Sequence, residues 1–184
     1  MNIVEKACKI VLSWYTLLKY KIKYRKRFSC SLSDMISPSV KIRLSSGGRL
    51  ILGKRVGIRD NVILNSTGGI ITIGDQVFIN DFTCINSRDE VTIGNNSIIG
   101  QGVKIYDHDH DYQNNLQKDF ICSPVVIDHD VWLGSDAIIL RGSYIGEHSI
   151  VGAATLLKGD VEPYHIVVNE RTSKLITLEK INST

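Results

Sequence analysis

The 184 residues predict an all-β chain wound as a parallel β-helix of hexapeptide repeats, entered by one amphipathic helix and broken by one long extruded loop. Three observations carry this. Aliphatic residues recur at every sixth position over most of the chain, a helical spacing holds only at its start, and the period of six is interrupted once, over residues 106–126. An α-helix repeats at 3.6 residues and a strand at 2, so neither alone needs a unit of six; a short strand plus a corner does.

Composition is ordinary for one globular domain, 43% hydrophobic and 22% charged, with only three prolines, which excludes disordered and collagen-like classes. The net charge of +3 is unevenly divided. Residues 1–27 hold eight basic side chains (Lys6, Lys9, Lys19, Lys21, Lys23, Arg25, Lys26, Arg27) against Glu5, so this head carries +7 and leaves −4 on the rest. A body of that sign is not a nucleic-acid binder, and no nucleic-acid partner is expected. Cys8, Cys30, Cys84 and Cys122 are far apart in sequence and read as reduced thiols of a cytoplasmic protein.

Residues 1–30 form the first element. Apolar positions fall in pairs, Ile3/Val4, Ala7/Cys8, Ile10/Val11, Trp14/Tyr15 and Leu17/Leu18, then Ile22, which is one stripe of an α-helix. The run Ile10 to Leu18 is too short to span a bilayer, and no small-residue cleavage site follows it, so the mature chain is expected to begin at or near Met1. Two readings stay open: the stripe docks on the body, or residues 1–27 make peripheral contact with an anionic membrane, at the inner face, where basic residues are attracted.

Residues 31–168 form the body. Its anchors are Leu52, Ile58, Leu64, Ile73, Ile79, Ile85, Ile93, Ile99, Ile105, Ile127, Leu133, Ile139, Ile145, Val151 and Leu157. If each hexapeptide is one face of a three-sided coil, three complete a turn of 18 residues and every anchor points inward. A small or β-branched residue stands four places past most anchors. Glycine often follows the anchor directly, where a bend with positive φ is expected. The register slips between Leu64 and Ile73 and between Ile85 and Ile93, which suggests bulged corners. One coil cannot bury its own face, so the repeats stabilise one another as a stack.

Residues 106–126 leave the repeat in a long stretch without periodicity, beginning Tyr106-Asp-His-Asp-His-Asp-Tyr112. Stretches of this length within a domain are often functional. The alternation of carboxylate and imidazole makes a metal site chemically conceivable, but the other histidines, His129, His148 and His165, lack a matching ligand spacing, and no metal is expected. His129 and His148 fall at corners and are expected to face solvent.

With its hexapeptides and this loop, the body resembles the hexapeptide-repeat acyltransferases, in particular their sugar O-acetyltransferase branch. The resemblance implies a left-handed coil, acetyl-coenzyme A as donor, a sugar or glycan acceptor of a surface polysaccharide, and a homotrimer with sites between neighbouring chains. Counting from Gly94-Asn95-Asn96 through Ile105, the family's catalytic histidine matches His110, with His108 two residues before it. A neutral imidazole there can take the proton of a sugar hydroxyl as it attacks the thioester, and backbone N–H groups can hold the oxyanion. Asp81, Asp109 or Asp111 is expected to orient the ring. On the donor side the family's segment matches Trp132 and Ser135, then Ala153. Lys158 is one place off the usual lysine, and Glu170-Arg171-Thr172-Ser173-Lys174 replaces the usual nucleotide-end segment, leaving Arg171 or Lys174 to meet a 3′-phosphate. On the acceptor side the gapless match puts Asp81 at the family's sugar-holding asparagine, beside Asn80. An N-acetyltransferase on a nucleotide-linked amino sugar, a transferase for serine or an antibiotic, and a non-catalytic β-helical scaffold are the alternatives. Residues 169–184 are read as a tail.

Overall fold

A computed structural model describes residues 2–114 and 119–170. Helix α1, Ile3–Tyr24, leads into six coils of a three-sided, all-parallel β-helix. The first face stacks Phe28–Ser29, Arg49–Leu52, Ile70–Ile73, Glu90–Ile93, Val125–Ile127 and Tyr144–Ile145. The second stacks Met35–Ile36, Gly57–Ile58, Phe78–Ile79, Ile98–Ile99, Trp132–Leu133 and Ile150–Val151, with Ile166–Val167 at its end. The third stacks Lys41–Ser45, Ile63–Thr67, Cys84–Ser87, Lys104–Tyr106, Ile138–Ile139 and Leu156–Leu157. All fifteen anchors are buried, so the period of six reports one aliphatic anchor turned inward on each face. The small or β-branched residues four places on are buried as well, among them Val77, Thr83, Ser97 and Ala137. The hydroxyls they bring inside are satisfied: Thr83 donates to the Gly100 carbonyl at 2.9 Å and Ser97 to that of Asp128 at 2.9 Å.

Coils after the loop have the expected 18-residue length, Trp132 pairing with Ile150 and Ile138 with Leu156. Earlier coils are longer, since Gly57 pairs with Phe78 and Lys41 with Ile63. The extra residues are not bulges. They lengthen the third face by one more inward position, Leu44, Ser66 or Ser87, before the corner that returns to the first face. The long loop leaves from that same corner.

Two expectations about the corners are corrected. Positive φ falls three places past the anchor, at Gln76, Phe82, Asn96, Asp130, Asp136 and His148, and no β-branched residue stands there. Each such N–H donates to the coil before it, as Asn96 does to the Asp75 carbonyl at 2.9 Å and Asp136 to that of Gln101 at 2.8 Å. Glycine directly after the anchor serves a different need. A Cβ on Gly134 would lie 2.5 Å from the Ala153 nitrogen, and one on Gly94 2.5 Å from that of His129. Glycine lets adjacent coils approach.

Helix α1 starts at a capping box, Asn2 and Glu5 each bonding the other's backbone N–H. It docks across the open end of the coil through Ser13, Thr16, Leu17, Tyr20 and Tyr24. The Tyr20 hydroxyl donates to the Val40 carbonyl (2.9 Å) and accepts from the Ile42 N–H (3.2 Å), and that of Tyr24 donates to Ile42 (3.0 Å). The paired stripe is therefore not the docking face: of its members only Leu17 is buried, and Val4, Val11, Tyr15, Leu18 and Ile22 are exposed. Tyrosine hydroxyls meeting the strand ends of the first coil decide which side turns inward.

Candidate active site

The loop opens where the third face would turn its corner. Its root is not irregular, as the sequence suggested, but an antiparallel ribbon in which His108–His110 pairs with Phe120–Cys122. Ser123 N–H to the Asp107 carbonyl, 2.9 Å, closes its neck. Alternation in the ribbon puts His108 and His110 on one face together with Phe120, and Asp109 with its partner Ile121 on the other. The His110 ring centroid is 4.5 Å from that of Phe120 and the His108 centroid 5.5 Å, while the Arg88 guanidinium lies 3.4 Å over the same ring.

Asp107 anchors this ribbon and was not among the residues singled out above. It is fully buried, accepting from the backbone N–H groups of Arg88 (2.9 Å) and Asp89 (2.8 Å), and its carboxylate lies 2.7 Å from His108 Nδ1. Burial would push its carboxyl up, but the bonds from His108, Arg88, Asp89 and Ser87 outweigh it and hold Asp107 below the usual carboxylate range. Its signal is in the alternation: it stands two places past anchor Ile105, as the inward Ser87 stands two past Ile85. With Nδ1 bonded to Asp107, His108 is left with Nε2 to present elsewhere. The carboxylates expected to orient an imidazole are engaged differently. Asp109 pairs with Arg141 (2.6 Å), Asp111 accepts from Asn114 (2.6 Å), and Asp81 accepts from the Asp60 N–H (2.9 Å) and Arg59 (3.3 Å).

The other candidate residues lie along a different edge. The corner between the second and third faces carries Asn80 and Asp81, then Gln101, then Ser135, then Ala153, in successive coils. Backbone bonds tie the column together: Gly102 N–H to Asp81 (2.9 Å), Asp136 to Gln101 (2.8 Å) and Ala154 to Ser135 (2.7 Å). Ser135 and Ala153 are exposed there. Trp132 is half exposed on the neighbouring second face, between Ile98 and Ile150. Lys158 is exposed at the corner that also bears the loop. Within one chain the third face therefore separates the histidines from Asn80, Asp81, Ser135 and Ala153. A groove between α1 and the second face, lined by Met35, Phe78, Arg59 and Asp60, ends close to Asp81. Arg171 and Lys174 lie outside the described residues, as does most of the tail.

His129 and His148 are at stacked corners as expected, but His129 is not simply solvated. Asp130 holds its Nδ1 at 2.8 Å and Glu147 its Nε2 at 2.6 Å; Asp130 above all, with the charges of Asp128 and Glu147, raises its pKa.

No family model matches the chain. It is 34% identical over 171 residues to the putative lipopolysaccharide biosynthesis O-acetyl transferase WbbJ of Escherichia coli, covering 87% of this chain and 77% of that protein. The galactoside O-acetyltransferase of Escherichia coli is 33% identical over 75 residues, 40% of this chain but only 37% of that protein. Among solved structures, AntD, an N-acyltransferase of Bacillus cereus in complex with dTDP and 3-hydroxybutyryl-CoA, superposes with a TM-score of 0.67 at 22% identity, over 80% of this chain and 81% of that one. A hexapeptide-repeat acetyltransferase of Vibrio cholerae complexed with acetyl coenzyme A gives 0.54 at 21% identity, over 90% and 84%. These likenesses show a shared fold, the left-handed parallel β-helix.

Proposed function

Because the chain belongs to the hexapeptide-repeat acyltransferases, we propose that it moves an acetyl group from acetyl-coenzyme A to a sugar hydroxyl of a surface polysaccharide or its precursor, with His110 as general base. The observation that carries this reading is the similarity to WbbJ, which runs through nearly the whole body and the loop. Exposure of His110 on the outer part of the ribbon supports its role, since an acceptor hydroxyl can reach it. His110 takes the hydroxyl proton as the oxygen attacks the thioester carbonyl. The tetrahedral intermediate expels the coenzyme A thiolate, which recovers the proton from the imidazolium. His108, tied to buried Asp107, holds the ribbon in place.

The separation of the two edges supports a homotrimer. The loop edge of one chain meets the Asp81–Ser135–Ala153 edge of the next, so that donor wall, acceptor residues and base come from two chains. Trp132, Ser135 and Ala153 then flank the pantetheine arm, Lys158 meets a phosphate, and Asn80 and Asp81 bond the sugar. Asp81 already serves its own corner, so it offers the acceptor one remaining carboxylate oxygen.

Release of free coenzyme A is measured with a panel of nucleotide sugars and oligosaccharides. His110→Ala lowers kcat roughly 10²–10⁴-fold while acetyl-coenzyme A still binds; equal turnover removes His110 as the base, and no donor binding at all leaves the non-catalytic scaffold. Co-expressed His110→Ala and Ala153→Trp chains, each inactive alone, regain activity if sites lie between chains. Turnover confined to amino sugars would make it an N-acetyltransferase instead.

A further inference from the structure

The sequence places a helical stripe and a basic head together, and docking uses little of either: Leu17 alone of the stripe is buried, and Lys21 and Arg27 of the head donate to the Phe28 and Leu44 carbonyls. Steps of seven, four, three and four put Val4, Val11, Tyr15, Leu18 and Ile22 on one side of α1. The docked residues Ser13, Thr16, Leu17, Tyr20 and Tyr24 lie on the opposite side. The five outward side chains keep 58% to 72% of their surface exposed. An apolar row this continuous, left outside on a folded domain, marks a surface that something covers.

Charge says what. Among the described residues none of the eight basic groups of the head takes part in an ion pair. Lys19 and Lys23 lie along the row's flank over the rings of Tyr20 and Tyr24, and Arg25 and Lys26 follow at the helix end. A second copy on this face would set two +7 heads against each other. An anionic lipid surface takes both features, apolar side chains entering the acyl boundary and basic ones meeting headgroups. No helix among the described residues is long and apolar enough to cross a membrane, so the contact is a surface one.

We propose that α1 seats the protein on an anionic phospholipid surface through its outward face, Val4, Val11, Tyr15, Leu18 and Ile22, while its inward tyrosines hold the β-helix. The proposal stands independently of the acetyl-transfer reading. Its use there is proximity: Arg59 and Asp60 of the groove beside α1 bond Asp81, so a lipid surface against α1 would keep a lipid-linked acceptor near the acceptor residues.

The full chain is sedimented with vesicles of phosphatidylcholine alone or mixed with phosphatidylglycerol. Binding is expected to the mixed vesicles, weakened by salt. It should fall about tenfold or more in Val11→Glu/Leu18→Glu, and also in Lys19→Gln/Lys23→Gln, with the circular dichroism of both variants unchanged and their unfolding midpoints close to wild type, because Val11 and Leu18 face outward and Lys19 and Lys23 lie only over rings of the helix itself. The control Leu32→Ser, an exposed apolar residue off the helix, should bind as wild type. Equal binding to both vesicle types, unaltered binding in both variants, or a lipid-free assembly that Val11→Glu/Leu18→Glu takes apart would overturn the proposal, the last by showing that another copy covers the face.

Discussion

Asp107→Ala is the most informative single change. It removes a buried carboxylate and leaves the backbone N–H groups of Arg88 and Asp89 and the His108 ring without their acceptor. An unsatisfied donor costs about 1–3 kcal/mol, less where water can reach it, and these backbone groups are only part-buried. The expected loss is therefore about 2–4 kcal/mol, large against the roughly 5–15 kcal/mol of a typical domain. Asp107→Asn should cost less, since the amide oxygen still accepts one bond while its NH2 faces donors. The assay is urea unfolding with hydrogen exchange read at Arg88 and Asp89. Because a repeat stack loses stability locally, protection should fall first at these amides and in the ribbon, before the first coils. Destabilisation under about 0.5 kcal/mol with unchanged exchange at both amides would refute the idea that Asp107 holds the loop root. The lowered pKa of Asp107 adds a pH signature. Its contribution is full above the unfolded carboxylate range and is lost as pH falls through the lower folded value, so wild type and Asp107→Ala converge in acid.

Other outcomes follow from the same contacts. Gly134→Ala forces a Cβ onto the Ala153 backbone and should cost about 1–3 kcal/mol or more in thermal unfolding, whereas Ala153→Gly, on the exposed side of the contact, should cost well under that. Tyr20→Phe strands the Val40 carbonyl and the Ile42 N–H, so it should destabilise by about 1–3 kcal/mol and speed proteolysis of α1; unchanged cleavage would mean that the helix is held by packing alone. Ile99→Ala opens a cavity in the fully buried anchor column and should cost about 2–5 kcal/mol in denaturant unfolding. At the His129 corner the folded pKa is raised, so the stabilisation is present in full below the ordinary histidine value and fades as pH rises through the folded one. The stability difference between wild type and His129→Gln should shrink accordingly on going alkaline, and a constant difference would argue against the Asp130 and Glu147 pairing.

Much of the fold was legible because a hexapeptide states, within a few residues, which side chain faces inward. Each anchor and each small residue four places on could be named before any coil was stacked. The glycine after the anchor was legible as special, but the cause was not. Its constraint is the backbone of the next coil, 19 residues on for Gly134 and 35 for Gly94, across the loop, whereas the left-handed bend sits two residues further on. At the loop, the histidines stand out by composition, while Asp107 is visible only to someone who carries the alternation one step past Ile105.

By itself, then, the sequence determined the coiled body, its inward column, the place where the repeat opens and the division of charge between head and body. These are periodic or local properties, encoded wherever a residue type meets its neighbours along the chain. The tertiary structure decided which side of α1 docks, that the loop root is a ribbon pinned by Asp107, and that the histidines stand on a different edge from Asn80, Asp81, Ser135 and Ala153. Each depends on how separate coils lie against one another, and backbone bonds made across whole turns set that geometry.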